Sequence, residues 1–224
     1  MPASPRQTRF AQGQAAKEPR WRPLAQYSAH QLPTECRRWL TDDGSLTSRL
    51  ISLRAGEFSV QRLYQGWQVP LPSERRLLGM NQRQTALVRE VALRLDDTAV
   101  VFARSVFPHD SLTGSLGHLR RLQNRSLGAI LFKHPGMHRC PFELALMPGD
   151  SAYLPERFHQ QQAAWGRRSR FELERARLMV SEVFLETFTP WHATLPVHRS
   201  QRGRVTTERA GGDRTGTEIT ATTR

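Results

Sequence analysis

Three charged residues stand in otherwise apolar rows. Successive side chains of a strand alternate between faces. In "ALVREVALRL" this puts Arg89 on the face of Leu87, Val91, Leu93 and Leu95. In "TAVVFARSVFP" it puts Arg104 with Val100, Phe102 and Val106, and in "RLMVSEVF" Glu182 with Leu178, Val180 and Phe184. A guanidinium or carboxylate on an apolar face is costly unless it is paired or holds a ligand. Two readings follow. Arg89 or Arg104 could form an internal salt bridge with Glu182. Alternatively, two cations and one acid could line a pocket for a small dianion carrying a hydroxyl, since arginine forks match carboxylates and the acid accepts from the hydroxyl.

The stretch "AWGRRSRFEL" packs three arginines into positions 167–170. Alternation splits them. Arg167 falls with Trp165, Ser169 and Phe171, while Arg168 and Arg170 fall with Glu172 and Glu174 and read as an exposed charged row. A strand that binds nucleic acid would show basic side chains and exposed aromatics on one face. The histidines show no paired-ligand spacing, so no metal is expected. Cys140 precedes a proline and carries no nucleophile signature.

The elements that must position these residues are short. "LPTECRRWL" reads as a helix ending near "TDDG", and Ser45 as an N-cap for a turn through Arg49. "EFSVQRLYQGW" and "RCPFELALM" read as strands. The segment 85–107 reads as a hairpin turning at Asp96-Asp97, and 165–188 as a second turning near Arg175-Ala176. "DSLTGSLGHLRRLQ" and "RSLGAILF" read as short helices, and 149–164 as a loop or short helix. The fold class is therefore α+β: a single domain with a mainly antiparallel sheet of about six strands and inserted helices. No glycine-rich phosphate loop joins a strand to a helix, which argues against a nucleotide fold.

The chain of 224 residues carries 33 basic and 20 acidic side chains, a net charge of +13, and the only lysines are Lys17 and Lys133. Such a balance invites a polyanion partner. More than half of that excess lies in residues 1–22 and 191–224, which lack apolar periodicity and read as disordered, solvated tails around a domain at 23–190. No nucleic-acid partner is therefore expected. Cys36 and Cys140 form no disulfide framework, which suits a cytoplasmic protein. No apolar run reaches membrane-spanning length and the N-terminus has no secretory h-region, so no membrane insertion is expected.

Several stretches together resemble the chorismate lyases: "WLTDDGSLTSRL", "ALVREVAL", "VFARSVFP", "SLGAILF", "WGRRSRFEL" and "VSEVFL", in order over residues 30–188. The resemblance implies a monomeric, cofactor-free enzyme that cleaves chorismate to 4-hydroxybenzoate and pyruvate, the first committed step of ubiquinone synthesis. It implies an internal cavity covered by flaps. It carries the ring-carboxylate arginine onto Arg89, the product-contacting glutamate onto Glu182, and two further contacts onto Leu127 and Leu46, where the family more often has methionine. Arg89 and Glu182, flagged by alternation, are thus expected to act in catalysis as well as binding. The resemblance carries no definite role onto Arg104; flagged by alternation and lying in a matching stretch, it is expected to take the enolpyruvyl carboxylate. The alternative is a non-catalytic domain of the same fold that senses a small carboxylate.

Overall fold

The computed structural model describes residues 18–195. One sheet of eight strands organises them: β1 (Arg22–Pro23), β2 (Phe58–Gln68), β3 (Ala86–Leu95), β4 (Thr98–Pro108), β5 (His138–Arg139), β6 (Glu143–Met147), β7 (Ala164–Leu173) and β8 (Ala176–Phe184). The order is β1-β6-β7-β8-β4-β3-β2, with β5 beside β7, and every pairing is antiparallel. The six longer strands are the ones expected from alternation. The two-residue strands β1 and β5 carry too few residues to show a period.

Helices cover both faces. On one face lie α1 (Thr34–Thr41), α2 (Leu46–Leu53) and α4 (Leu127–Leu131). Trp39, Leu40, Leu46 and Leu50 pack there against Val91, Leu93 and Ala103, and Leu127 and Leu131 against Leu87, Phe107 and Phe171. On the other lies α3 (Pro72–Leu78), whose Leu78 joins Val88, Val106 and Met179. The expected helix around 114–121 is a 3-10 segment. Nothing in the sequence reading anticipated α3, although Pro72 at its first turn and left-handed Gly79 at its end are ordinary start and stop signals.

α3 corrects the reading of Arg168 as exposed. Arg168 is buried: its Nε lies 2.6 Å from Glu143 Oε2 and its Nη1 donates to Ser73 Oγ at the start of α3. The outer row of β7 is polar because it meets a polar layer under a helix.

The bounds 23 and 190 fall inside packed structure. The Trp21 ring meets Tyr153 at 5.8 Å, and Trp191 meets Phe188 at 4.6 Å. The rest of both expected tails lies outside the described residues. A chain cut to 23–190 is expected to melt at least about 5 °C below one cut to 18–195, because it loses these two aromatic contacts. Thermal unfolding followed by circular dichroism checks this, and equal melting temperatures would show the two tryptophans to be dispensable.

Candidate active site

A cavity lies between the sheet and the helices α2 and α4. The space between its lining atoms is about 520 Å³, and a water molecule's centre can occupy about 40 Å³ of it. That room fits only a few waters. Val91, Leu93, Ala103 and Phe171 supply apolar lining; Arg89, Arg139 and Glu182 supply charge.

Arg89 reaches the cavity from β3 and is 2% exposed. Its Nη2 donates to the carbonyls of Gln123 and Arg125 at 3.0 and 2.8 Å, while its Nε is buried with no partner. Burial, reinforced by Arg62, lowers its pKa to about 10. It remains cationic at neutral pH, but among the described residues no carboxylate pairs with it to offset the cost of burying it. A buried cation without a counter-ion is what a carboxylate ligand would relieve.

Glu182 reaches the same cavity from β8. It is not bonded to Arg89 or to Arg104. Arg167, directly opposite on β7, holds it with Nε 2.7 Å from Oε2. The remaining donors of Arg167 include Nη1, which reaches the carbonyls of Trp39 and Asp42, and Nη2, which is buried without a partner. Arg139 Nη2 lies 3.9 Å from Glu182 Oε2 on the cavity side.

Leu46 and Leu127 are the first residues of α2 and α4, and both line the cavity. Ser45 and Ser126 cap those helices by accepting from the backbone N–H of Ser48 and Ala129. Ser126 Oγ also donates to Thr47 Oγ1 at 2.9 Å, tying the two starts together. A Cβ at Gly128 would sit 3.1 Å from Ser45 Oγ, so a larger residue there would have to push that capping hydroxyl aside by a few tenths of an ångström.

Arg104 is not at the cavity, which corrects its expected role. It lies on the opposite face, 1% exposed, with Nε 2.8 Å from Glu74 Oε1 and Nη1 2.8 Å from Glu90 Oε1. Burial alone would lower its pKa; Glu74 above all, then Glu90, outweigh that and raise it. The cause of the misplacement is one residue of register. A two-residue turn with Leu95 opposite Thr98, continued unbroken, pairs Arg89 with Arg104. A bulge between Leu93 and Arg94 shifts the ladder, so Arg89 faces Ser105 and Arg104 faces Glu90.

Arg139 and Arg167 are the charged groups beside Glu182 that sequence reasoning did not select. Alternation had put Arg167 on the inner face with Phe171, a usable cue. Arg139 sits in a two-residue strand and gives none. Among the described residues one grouping has metal-ligand proximity, His138, Cys140 and Glu172, with ligand atoms within 4.8 Å of one another. None of the three lines the cavity, and Arg170 and Arg177 already hold Glu172. No described helix is long and apolar enough to cross a membrane.

The family profile "Chorismate lyase" matches residues 17–194. A probable chorismate pyruvate-lyase of Aromatoleum aromaticum is 41% identical over 167 residues, 70% of this chain and 88% of that protein. Probable chorismate pyruvate-lyase 2 of Pseudomonas fluorescens is 39% identical over 181 residues, 80% of this chain and 95% of that one. Among solved structures, the effector domain of PhnF from Mycobacterium smegmatis aligns with 64% of this chain and 89% of its own at 14% identity, with a TM-score of 0.45.

Proposed function

The chain belongs to the chorismate lyase family, and from that premise we propose that Arg89 and Glu182 hold opposite ends of chorismate while it is cleaved to 4-hydroxybenzoate and pyruvate. The observation that carries this reading is that the two side chains line one cavity without bonding to each other. Arg89 takes the ring carboxylate by a charge-assisted hydrogen bond from its Nε, which is buried without a partner while Nη2 is held by two backbone carbonyls. Glu182 accepts from the C4 hydroxyl, para to that carboxylate, and fixes the ring.

In the reaction the C3–O bond breaks with its electron pair going to the ether oxygen. The C4 hydrogen leaves as a proton, its bonding pair completing the aromatic ring. The enolpyruvate released becomes pyruvate by gaining a proton on its methylene carbon. Aromatisation drives the step, so the protein's contribution is placement and charge stabilisation in a site with little water. The expectations that the product feeds ubiquinone synthesis, and that the enzyme works as a cytoplasmic monomer without cofactor or nucleic acid, belong to this proposal.

The test is direct. Purified full chain mixed with chorismate is expected to form 4-hydroxybenzoate, followed by absorbance. Binding of chorismate without product would instead describe a carboxylate sensor. Glu182→Gln separates the roles of the acid. It is expected to lower kcat about 100-fold and to weaken 4-hydroxybenzoate about tenfold, because a charge-assisted hydrogen bond becomes a neutral one. Loss of kcat with product affinity intact would assign Glu182 to charge or proton handling alone.

A further inference from the structure

With Arg104 on the far face of the sheet, the second carboxylate of chorismate lacks an assigned partner. Stereochemistry says where to look. The ring carboxylate and the C4 hydroxyl are para, and the enolpyruvyl ether at C3 is the neighbour of that hydroxyl. If Arg89 and Glu182 hold the para pair, the enolpyruvyl group leaves the ring beside Glu182. Two guanidinium groups lie there. Arg167 is fully buried, is bonded to Glu182 and does not line the cavity. Arg139 does line it.

Resting on the proposed function, we propose that Arg139 binds the enolpyruvyl carboxylate of chorismate and stabilises that fragment as it departs. Two of the three nitrogens of Arg139 are spent on holding it still. Nε donates to Ser169 Oγ at 3.0 Å, and Nη1 donates to the carbonyls of Asp43 and Gly44. The guanidinium stacks 4.1 Å from the Phe142 ring centroid and 5.1 Å from that of Phe171. Nη2 remains, and its nearest acid oxygen is Glu182 Oε2 at 3.9 Å, beyond a hydrogen bond. The donor is thus oriented in advance and still available, as electrostatic catalysis requires.

Charge balance agrees. Among the residues that line the cavity the charges are Arg89, Arg139 and Glu182; Glu182 is paired with Arg167 and Asp42 with Arg49, and Asp43 is exposed and outside the lining. Two positive charges are left over, the number a dicarboxylate guest neutralises. Burial, then repulsion from Arg167, pulls the Arg139 pKa down to about 9 against the opposing pull of Glu182, Asp42 and Asp43. The cation is therefore held at a cost that an arriving anion offsets. When the C3–O bond breaks, negative charge grows on the enolpyruvyl fragment. Arg139 then binds the transition state more strongly than the ground state, which raises kcat.

The test uses the absence of this carboxylate from 4-hydroxybenzoate. Arg139→Gln is expected to lower kcat/KM for chorismate at least about 100-fold while changing 4-hydroxybenzoate affinity less than about threefold. Arg139→Lys, which keeps charge but not the fork, should recover part of the rate. Equal losses of turnover and product affinity would show that Arg139 only supports Glu182, and unchanged turnover would remove it from the site. Should the glutamine variant fail to fold, the wild-type protein decides. 3-(1-Carboxyvinyloxy)benzoate, which adds the second carboxylate to an aromatic acid, is expected to bind at least about tenfold more tightly than 3-ethoxybenzoate, which lacks it. Equal affinities overturn the assignment of Arg139 alone. Wild-type protein that neither turns over chorismate nor binds 4-hydroxybenzoate overturns the proposed function instead.

Discussion

Replacing Arg89 by methionine is expected to lower kcat/KM for chorismate about 30- to 900-fold, equivalent to about 2–4 kcal/mol of lost transition-state binding. Affinity for 4-hydroxybenzoate should fall in parallel, since the ring carboxylate survives into the product; this separates Arg89 from Arg139. Stability should move little, or rise. The Arg89 cation is buried with two backbone carbonyls as acceptors and no carboxylate. Its pKa is lowered in the fold, so the folded state binds its proton less tightly than the unfolded chain does. Folding therefore bears the cost of burying the cation at every pH below about 10, the value to which burial and Arg62 lower it, and is relieved of that cost only above it. Methionine fills a similar volume without that cost, at the loss of two hydrogen bonds. Steady-state kinetics, product titration and urea unfolding on the same preparation check all three statements. Near-normal kcat/KM would remove Arg89 from the site, and a large fall in stability would make it a structural residue. A functional cation kept at some cost to the fold is the expected pattern when a site is shaped for its ligand.

The sheet and two of its hairpins were legible because their strands are long enough to show a period of two. The Asp96-Asp97 turn is where alternation put it, and the second turn, at Glu174-Arg175, is one residue early. Arg89 and Glu182 were legible for the same reason: each interrupts an apolar row, and the structure brings both to one cavity. Arg104 interrupts a row equally clearly, but alternation gives the parity of a strand and not which face of the sheet is meant. A single bulge between Leu93 and Arg94 decided that, and no residue there announces it. Glu74 was missed with its helix. "PSERRLLG" looks like an exposed charged turn until α3 is laid over the sheet, when Glu74 becomes fully buried. Arg139 was hidden because its strand is two residues long and its neighbours in the site come from β7, β8 and the loop between α1 and α2. Such a residue is placed by tertiary contacts, and local pattern has no access to those.

Arg104→Met is expected to lower stability by about 3–5 kcal/mol at neutral pH, because it strands two buried carboxylates. Glu74 is fully buried and Glu90 nearly so. Glu74 chelates the guanidinium through both oxygens, and its Oε2 also accepts from Leu71 N at the start of α3. Removing the cation therefore disturbs the ion pairs and the seating of that helix together. Adding Glu74→Gln and Glu90→Gln to Arg104→Met should recover part of that loss, since the two carboxylates that the single change leaves without their cation are then neutral. Urea unfolding of the wild type, single and triple variants at neutral pH reads this out. The same proteins test the correction of the Arg104 role. Below its unfolding midpoint, the single variant should keep 4-hydroxybenzoate affinity within about threefold of wild type. A stable Arg104→Met protein that had lost chorismate turnover would return Arg104 to the active site and take the second-carboxylate role away from Arg139.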